Sequence, residues 1–162
     1  MKELYFAYGS NLNLGQMAVR CPQAGVVGKA VLEGYELAFR RGVLTILPKE
    51  GSRVNGLLWR VNAWDELTLD RYEGYPTFYY KETMNVEVFS LLGDVSLGYV
   101  DAIIYIMHEE RKLGMPSLHY YEVCLDGYAH FGFDPRFLEN ALTDSVGKRY
   151  ASRLLKEVGL NE

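Results

Sequence analysis

Two stretches of this chain hold residues whose types and spacing could do chemistry: a glycine loop at 8 to 11 and an acid at 73. Tyr8-Gly9-Ser10-Asn11 follows the apolar run LYFAY and precedes Asn13, which can cap a helix over Leu14 to Arg20 with Gln16 at the capping-box position. Glycine permits a tight turn there, and successive amides in such a turn can converge on a carboxylate or phosphate. The loop lacks the lysine of a P-loop and the spaced glycines of a dinucleotide fingerprint, so a nucleotide is not its natural ligand. Taken alone, it serves equally well as a plain strand-to-helix turn.

The acid lies in LDRYEGYPTFYYKE, Leu69 to Glu82. A helix over Ala63 to Glu73, capped by Asn62 and stopped by Gly74 with Pro76 beyond, places Glu73 in its last turn. Helix C-termini carry partial negative charge, which disfavours an ionised carboxylate there by ~0.3–1 kcal/mol. Asp70 lies three positions earlier on the same face, and Tyr72 and Tyr75 flank the site, so a like charge and partial desolvation both push the Glu73 carboxyl upward. A base working near neutrality could result; a solvated glutamate at a helix end is the plain alternative. Tyrosines are close at hand. Of Tyr79 and Tyr80, adjacent on a strand, only one can line a given pocket, and Tyr120 and Tyr121 open a helix capped by Ser117.

Other chemistries find less support. His108, His119 and His130 lack HxxxH spacing and a partner cysteine cluster, so no metal is expected. Cys21 and Cys124 are far apart and unpaired by spacing, which argues against a disulfide framework and for a reducing cytoplasm. Ser10 is not in a GxSxG elbow, and Cys124, among apolar neighbours, reads as a buried thiol.

The elements that must position these residues read as strands in the first two thirds and helices in the last. Strands are expected over Leu4 to Tyr8, Ala30 to Arg40, a short piece at Leu44 to Leu47, and Val54 to Val61, with Gly42 and Gly51 punctuating these pieces. Tyr80 to Phe89 and Ser96 to Met107 form a hairpin about Gly93 and Asp94. Helices are expected from Ser117 to about Phe131, from Asp134 and Pro135, and from Asp144 or Ser145 to near Gly159. Without regular strand-helix alternation the class is α+β, with a curved or barrel-like sheet. At 162 residues and 49% hydrophobic, the chain is expected to form a single soluble domain, 1–162, with no stretch approaching the ~20 apolar residues of a membrane helix. A net charge of -4 argues against a nucleic-acid partner, while 13 tyrosines suit a pocket for a small polar molecule.

In combination, YFAYGSN near the N-terminus, LDRYEG followed by YP and an aromatic-basic strand start, and PSLHYY before a helix resemble the γ-glutamylcyclotransferase-like family, which includes the plant AIG2-like proteins. The resemblance covers about Glu3 to Asp134; the helical extension from 135 to 162 falls outside it. It implies a small mixed, barrel-like sheet with peripheral helices, no cofactor and no metal, and cyclisation of a γ-glutamyl compound to 5-oxoproline with release of an amine. It further implies that Glu73 is the catalytic acid/base and that the amides of Tyr8, Gly9, Ser10 and Asn11 hold the γ-glutamyl moiety, chiefly its α-carboxylate. Tyr79, or Tyr80 if the alignment slips by one, and Tyr120 match its aromatic positions. The expected partner is a small γ-glutamyl substrate, with no nucleic acid and no membrane, the protein being a monomer or homodimer. A non-catalytic module binding a γ-glutamyl or amino-acid-like ligand is the alternative. A third reading has the last helix, Val146 to Val158, docking on a partner through Tyr150, Leu154 and Val158.

Overall fold

The structure, a computed structural model, describes residues 3–159. The elements run β1 (Glu3–Ala7), a 3-10 turn (Ser10–Leu12), α1 (Leu14–Arg20), β2 (Gly25–Arg40), β3 (Val43–Val61), α2 (Ala63–Glu73), β4 (Tyr79–Phe89), β5 (Ser96–Met107), α3 (Leu118–Phe131), α4 (Arg136–Val146) and α5 (Lys148–Glu157). The strands pair in the order β1-β3-β2-β4-β5 and close into a barrel through a parallel bridge between Tyr5 and Ile103. The other strand pairs are antiparallel, so the class is α+β with a mixed barrel, as expected. Closure removes the free edges that an open sheet would leave.

The short pieces expected at Leu44 to Leu47 and Val54 to Val61 are parts of one strand, β3, which runs beside β2 for most of its length. Gly51 does not end it. Pairing jumps instead from Glu33↔Arg53 to Tyr35↔Pro48, so a single residue, Gly34, faces four residues of β3, 49–52. Both glycines have positive φ, 84° at Gly34 and 83° at Gly51, which a side chain would resist. This irregularity divides the hairpin, and the half nearer its tip is tied to β5, where Thr45 Oγ1 accepts the Met107 N–H at 2.9 Å.

Helix signals near the site are read correctly from local chemistry. Asn13 caps α1 by accepting the Gln16 N–H at 3.1 Å, although the Gln16 side chain does not reach back: it accepts from Arg20 instead. The opener expected at Asp144 or Ser145 is not used. Both residues lie within α4, α5 starts after Gly147, and Ser145 Oγ accepts the Phe39 N–H at 2.9 Å. A hydroxyl that satisfies a strand amide is unavailable as a cap. The docking face expected on the last helix is also taken: Leu154 is buried and Val158 packs against the core, leaving Tyr150 outward at 52% exposed. Their apolar surface is used within the chain itself.

The 3-10 turn that carries the glycine loop rests on α3. Leu12 is fully buried, and a Cβ added at Gly127 would lie 2.7 Å from the Leu12 Cβ and 3.1 Å from its carbonyl carbon. Helix propensity alone would favour Gly127→Ala by about 1 kcal/mol. Because the clash must displace the turn, the substitution is expected instead to destabilise the protein by about 1–3 kcal/mol. A urea midpoint equal to or above wild type would show that the turn yields freely.

Candidate functional site

The site begins with how α2 is fixed at both ends. Asn62 and Asp65 form a reciprocal capping box, Asn62 Oδ1 accepting the Asp65 N–H at 2.8 Å and Asp65 Oδ2 accepting the Asn62 N–H at 3.0 Å. At the other end Gly74 adopts the left-handed conformation, φ 68°, as the stop signal requires. Between them, Asp70 turns to the barrel. It accepts the Tyr105 hydroxyl at 2.6 Å and pairs with Lys81 at 3.0 Å, and Lys81 also pairs with Glu66 at 2.6 Å. The last turn of α2 is thereby tied to β4 and β5, and Glu73 is left facing a cavity of about 270 Å³.

All seven residues singled out from the sequence line this cavity: Tyr8, Gly9, Ser10, Asn11, Glu73, Tyr79 and Tyr120. The register settles which tyrosine of the pair faces inward. Tyr79 is buried in the cavity wall, while Tyr80 lies against His108, ring centroids 5.2 Å apart. His119 is exposed, and the thiols of Cys21 and Cys124 are both buried, pushed up by that burial to about 11 and about 12. Among the described residues no group of three or more His, Cys, Asp or Glu side chains gathers. None of the described helices is long and apolar enough to cross a membrane.

Six tyrosines line the cavity, and each hydroxyl has a partner other than Glu73. Tyr8 donates to the Tyr105 carbonyl at 2.6 Å and Tyr79 to the Leu44 carbonyl at 2.6 Å. Tyr105 donates to Asp70, and Tyr72 shares a 3.0 Å hydrogen bond with Ser10 Oγ. Tyr5 accepts from Asn11 Nδ2 at 3.0 Å and Tyr120 accepts the Leu44 N–H at 3.0 Å. An accepting hydroxyl keeps its own O–H to donate, so Tyr5 and Tyr120 still have a proton to offer a ligand.

The loop amides complete the wall. The Leu12 and Asn13 N–H groups close turns onto the Gly9 and Ser10 carbonyls, each at 3.0 Å. The amides of Gly9, Ser10 and Asn11 come ahead of the first turn bond, where a helical turn supplies no acceptor of its own. Close approach, rather than a positive φ, favours glycine at position 9, where φ is -122°. A Cβ there would lie 3.3 Å from the Tyr120 hydroxyl.

Glu73 has the electrostatics of a base near neutrality, for a reason that differs in part from the sequence-based expectation. Burial pushes its carboxyl from the usual 4.5 to about 7, opposed by the positive charge of Arg20. Asp70 was expected to contribute as a like charge, but it is engaged by Lys81 and Tyr105 on the barrel side. Burial also holds the hydroxyls of Tyr5, Tyr8, Tyr79 and Tyr120 well above the normal tyrosine range, with the Glu73 charge adding to it, so they stay neutral.

Sequence reasoning passed over four contributors. Alternation sets Tyr5 and Tyr8 on opposite strand faces, yet both reach the cavity because β1 ends at Ala7. Tyr105 is paired across the hairpin with Lys81, a register that the turn length could have supplied. Leu44 acts through its backbone N–H and C=O, which no side-chain pattern marks. Arg20 carried no signal beyond being basic in the last turn of its helix.

A family described as "Gamma-glutamyl cyclotransferase, AIG2-like" matches residues 5–122. A curated relative, gamma-glutamylcyclotransferase of Bos taurus, is 34% identical over 82 residues, which is 44% of this chain and 44% of that protein. The alignment thus spans less than half the length of the curated relatives. Among solved structures, one described as gamma-glutamyl cyclotransferase has a TM-score of 0.72 at 24% identity, covering 97% of this chain and 99% of that one. YkqA from Bacillus subtilis has a TM-score of 0.64 at 25% identity over 86% of this chain and 52% of its own.

The raised Glu73 carboxyl has a consequence for stability. Unfolded, the group loses its proton near 4.5; folded, it keeps it to about 7, so the native state binds more protons between these values. This contribution therefore diminishes stability as pH rises from about 4.5 to about 7. Glu73→Gln should remove that part of the pH dependence in urea titrations at pH 4.5, 6 and 8. Parallel curves for the two proteins would contradict it.

Proposed function

The chain belongs to the gamma-glutamyl cyclotransferase, AIG2-like family, and from that premise we propose that it is a γ-glutamyl cyclotransferase, converting a γ-glutamyl amine or γ-glutamyl peptide to 5-oxoproline and a free amine. The observation that carries this reading is a single carboxylate with a proton affinity near neutrality, set in a wall of neutral hydroxyls beside a loop of backbone amides.

The chemistry needs those features. A substrate's α-amine is protonated at neutral pH and cannot attack its own γ-carbonyl. Glu73, ionised, removes a proton from it. The freed nitrogen then adds to the γ-carbonyl carbon and the carbonyl oxygen takes up negative charge. The Glu73 carboxylic acid next gives its proton to the departing nitrogen, and the oxyanion re-forms the carbonyl as the carbon–nitrogen bond to the leaving group breaks. The released amine takes up the second proton of the former ammonium nitrogen, leaving the ring of 5-oxoproline with one N–H. One group serves both transfers because a pKa near the working pH lets it hold and release a proton with similar ease.

In this reading the Gly9 to Asn11 amides receive the α-carboxylate, and the free O–H groups of Tyr5 and Tyr120 are available to substrate oxygens, including the developing oxyanion. Tyr8 and Tyr79, whose protons are already donated to carbonyls, shape the wall. Holding amine and carbonyl in contact supplies a large share of the rate, since well-oriented intramolecular attack is worth ~7–11 kcal/mol of barrier.

The test is 5-oxoproline release from a panel of γ-glutamyl amines, γ-glutamyl dipeptides and glutathione. For the substrate turned over, kcat/KM is expected to rise with pH through about 7 as Glu73 ionises. Glu73→Gln is expected to lose on the order of 10²–10⁴-fold in kcat, the usual worth of a general acid–base group, while still binding 5-oxoproline. Saturable binding with no turnover across the whole panel would replace this reading with that of a ligand-binding module.

A further inference from the structure

Arg20, at the end of α1, makes a set of contacts that the reaction scheme above does not use. Its guanidinium donates to Asn11 Oδ1, and to Gln16 Oε1 at 2.5 Å. It also lies over the Tyr72 ring, 3.5 Å from the centroid. The Tyr72 hydroxyl is in turn bonded to Ser10 Oγ at 3.0 Å, and Asn11 Nδ2 donates to Tyr5. These contacts form a closed circuit, Arg20 to Asn11, along the loop to Ser10, across to Tyr72 and back to Arg20. One side of the circuit is the amide loop. The other is the residue immediately before Glu73.

We propose that Arg20 is a positioning residue for the proposed reaction: its guanidinium clamps the amide loop to the last turn of α2, so that the α-carboxylate site and the Glu73 carboxylate are held at a fixed separation. Two features fit guanidinium better than ammonium. A planar fork bonds two amide oxygens while its face stays free to stack, whereas an ammonium offers point contacts on a flexible stem. The circuit also links elements far apart in sequence, since Ser10 and Tyr72 are 62 residues apart.

Arg20 has a second effect through charge. The groups facing Glu73 are Tyr5 and Tyr8 from β1 and its loop, Tyr72 on its own helix, Tyr79 from β4, Tyr120 from α3, and Arg20 from α1. Of these only Arg20 carries a charge at neutral pH, and it favours ionised Glu73. Asp70, on the same helix, is paired with Lys81. Arg20 thus both spaces the site and keeps its base from being held protonated.

The activity arm of the test rests on the cyclotransferase reading; a spectroscopic arm does not. With a turned-over substrate, Arg20→Gln is expected to raise KM by about tenfold or more and to move the kcat/KM pH midpoint upward by about one pH unit. Arg20→Lys keeps the charge without the fork, so its midpoint should stay near wild type while KM still rises. Tyr72→Phe keeps the ring under the guanidinium and deletes the Ser10 link, with the same expected outcome. If Arg20→Gln does not fold, Arg20→Lys decides: raised KM supports the clamp, wild-type KM overturns it. Should wild type turn over nothing, the function proposed above fails, and NMR decides the clamp separately. Arg20→Gln should raise the titration midpoint of 13C-labelled Glu73 and broaden the Ser10 and Asn11 amide signals. A folded Arg20→Gln protein with unchanged midpoint, unchanged loop signals and unchanged KM overturns the proposal.

Discussion

A carboxylate becomes a base for neutral pH only when it is withdrawn from water without acquiring strong donors in exchange. Surrounding Glu73 with tyrosines would ordinarily defeat this, because phenolic O–H groups are good donors and would stabilise the anion. The fold limits that outcome by directing four of the six hydroxyls elsewhere. Tyr8 and Tyr79 each donate to a backbone carbonyl, Tyr105 donates to Asp70, and Tyr72 is bonded to Ser10. What remains around the carboxylate is ring surface, the uncommitted hydroxyls of Tyr5 and Tyr120, and one opposing cation.

That arrangement depends on the backbone of β3 as much as on any side chain. Leu44 supplies a carbonyl to Tyr79 and an N–H to Tyr120, so one residue orients two walls of the cavity from opposite sides. It does so from the tip half of the β2–β3 hairpin, beyond the bulge where Gly34 opposes four residues. The helix side is fixed differently, by ion pairs. Lys81 joins Glu66 and Asp70 in partly buried surroundings and lies 4.3 Å from the centroid of the Tyr75 ring. Such a pair adds little net stability where it is exposed, and its value here is geometric, since it sets the rotation of α2 about its own axis.

Much of this was legible from residues whose role is local. Asn62, Gly74 and Pro76 delimit α2 to the residue, and Asn13 and Ser117 mark the starts of α1 and α3, because caps and stops act on their own backbone. The hairpin of β4 and β5 followed from two apolar runs around a polar turn. Legibility failed where the deciding contact was distant. Ser145 looks like a cap until the Phe39 amide reaches it, and Leu154 and Val158 look like a docking stripe until they join the chain's own core beside α4. Gly51 reads as a break, yet β3 continues through it as a bulge. For Glu73 the location was right and the cause incomplete: the sequence puts Asp70 on the same helix face, and only the fold gives it to Lys81 and Tyr105.

The hydrogen bond from Phe39 to Ser145 joins a part of the chain beyond the family match to the part that carries the site. Phe39 is paired with Leu44, and Leu44 orients Tyr79 and Tyr120. Evolution therefore has a lever here that leaves every cavity residue untouched. Drift in α4, where it lies on β2, could shift the hairpin tip by fractions of an ångström and retune which ligands fit, while the acid, the loop and the tyrosines stay the same. Lineages sharing this arrangement of acid, loop and tyrosines could diverge in the ligands they take through their tails, and a comparison restricted to the cavity lining would miss it.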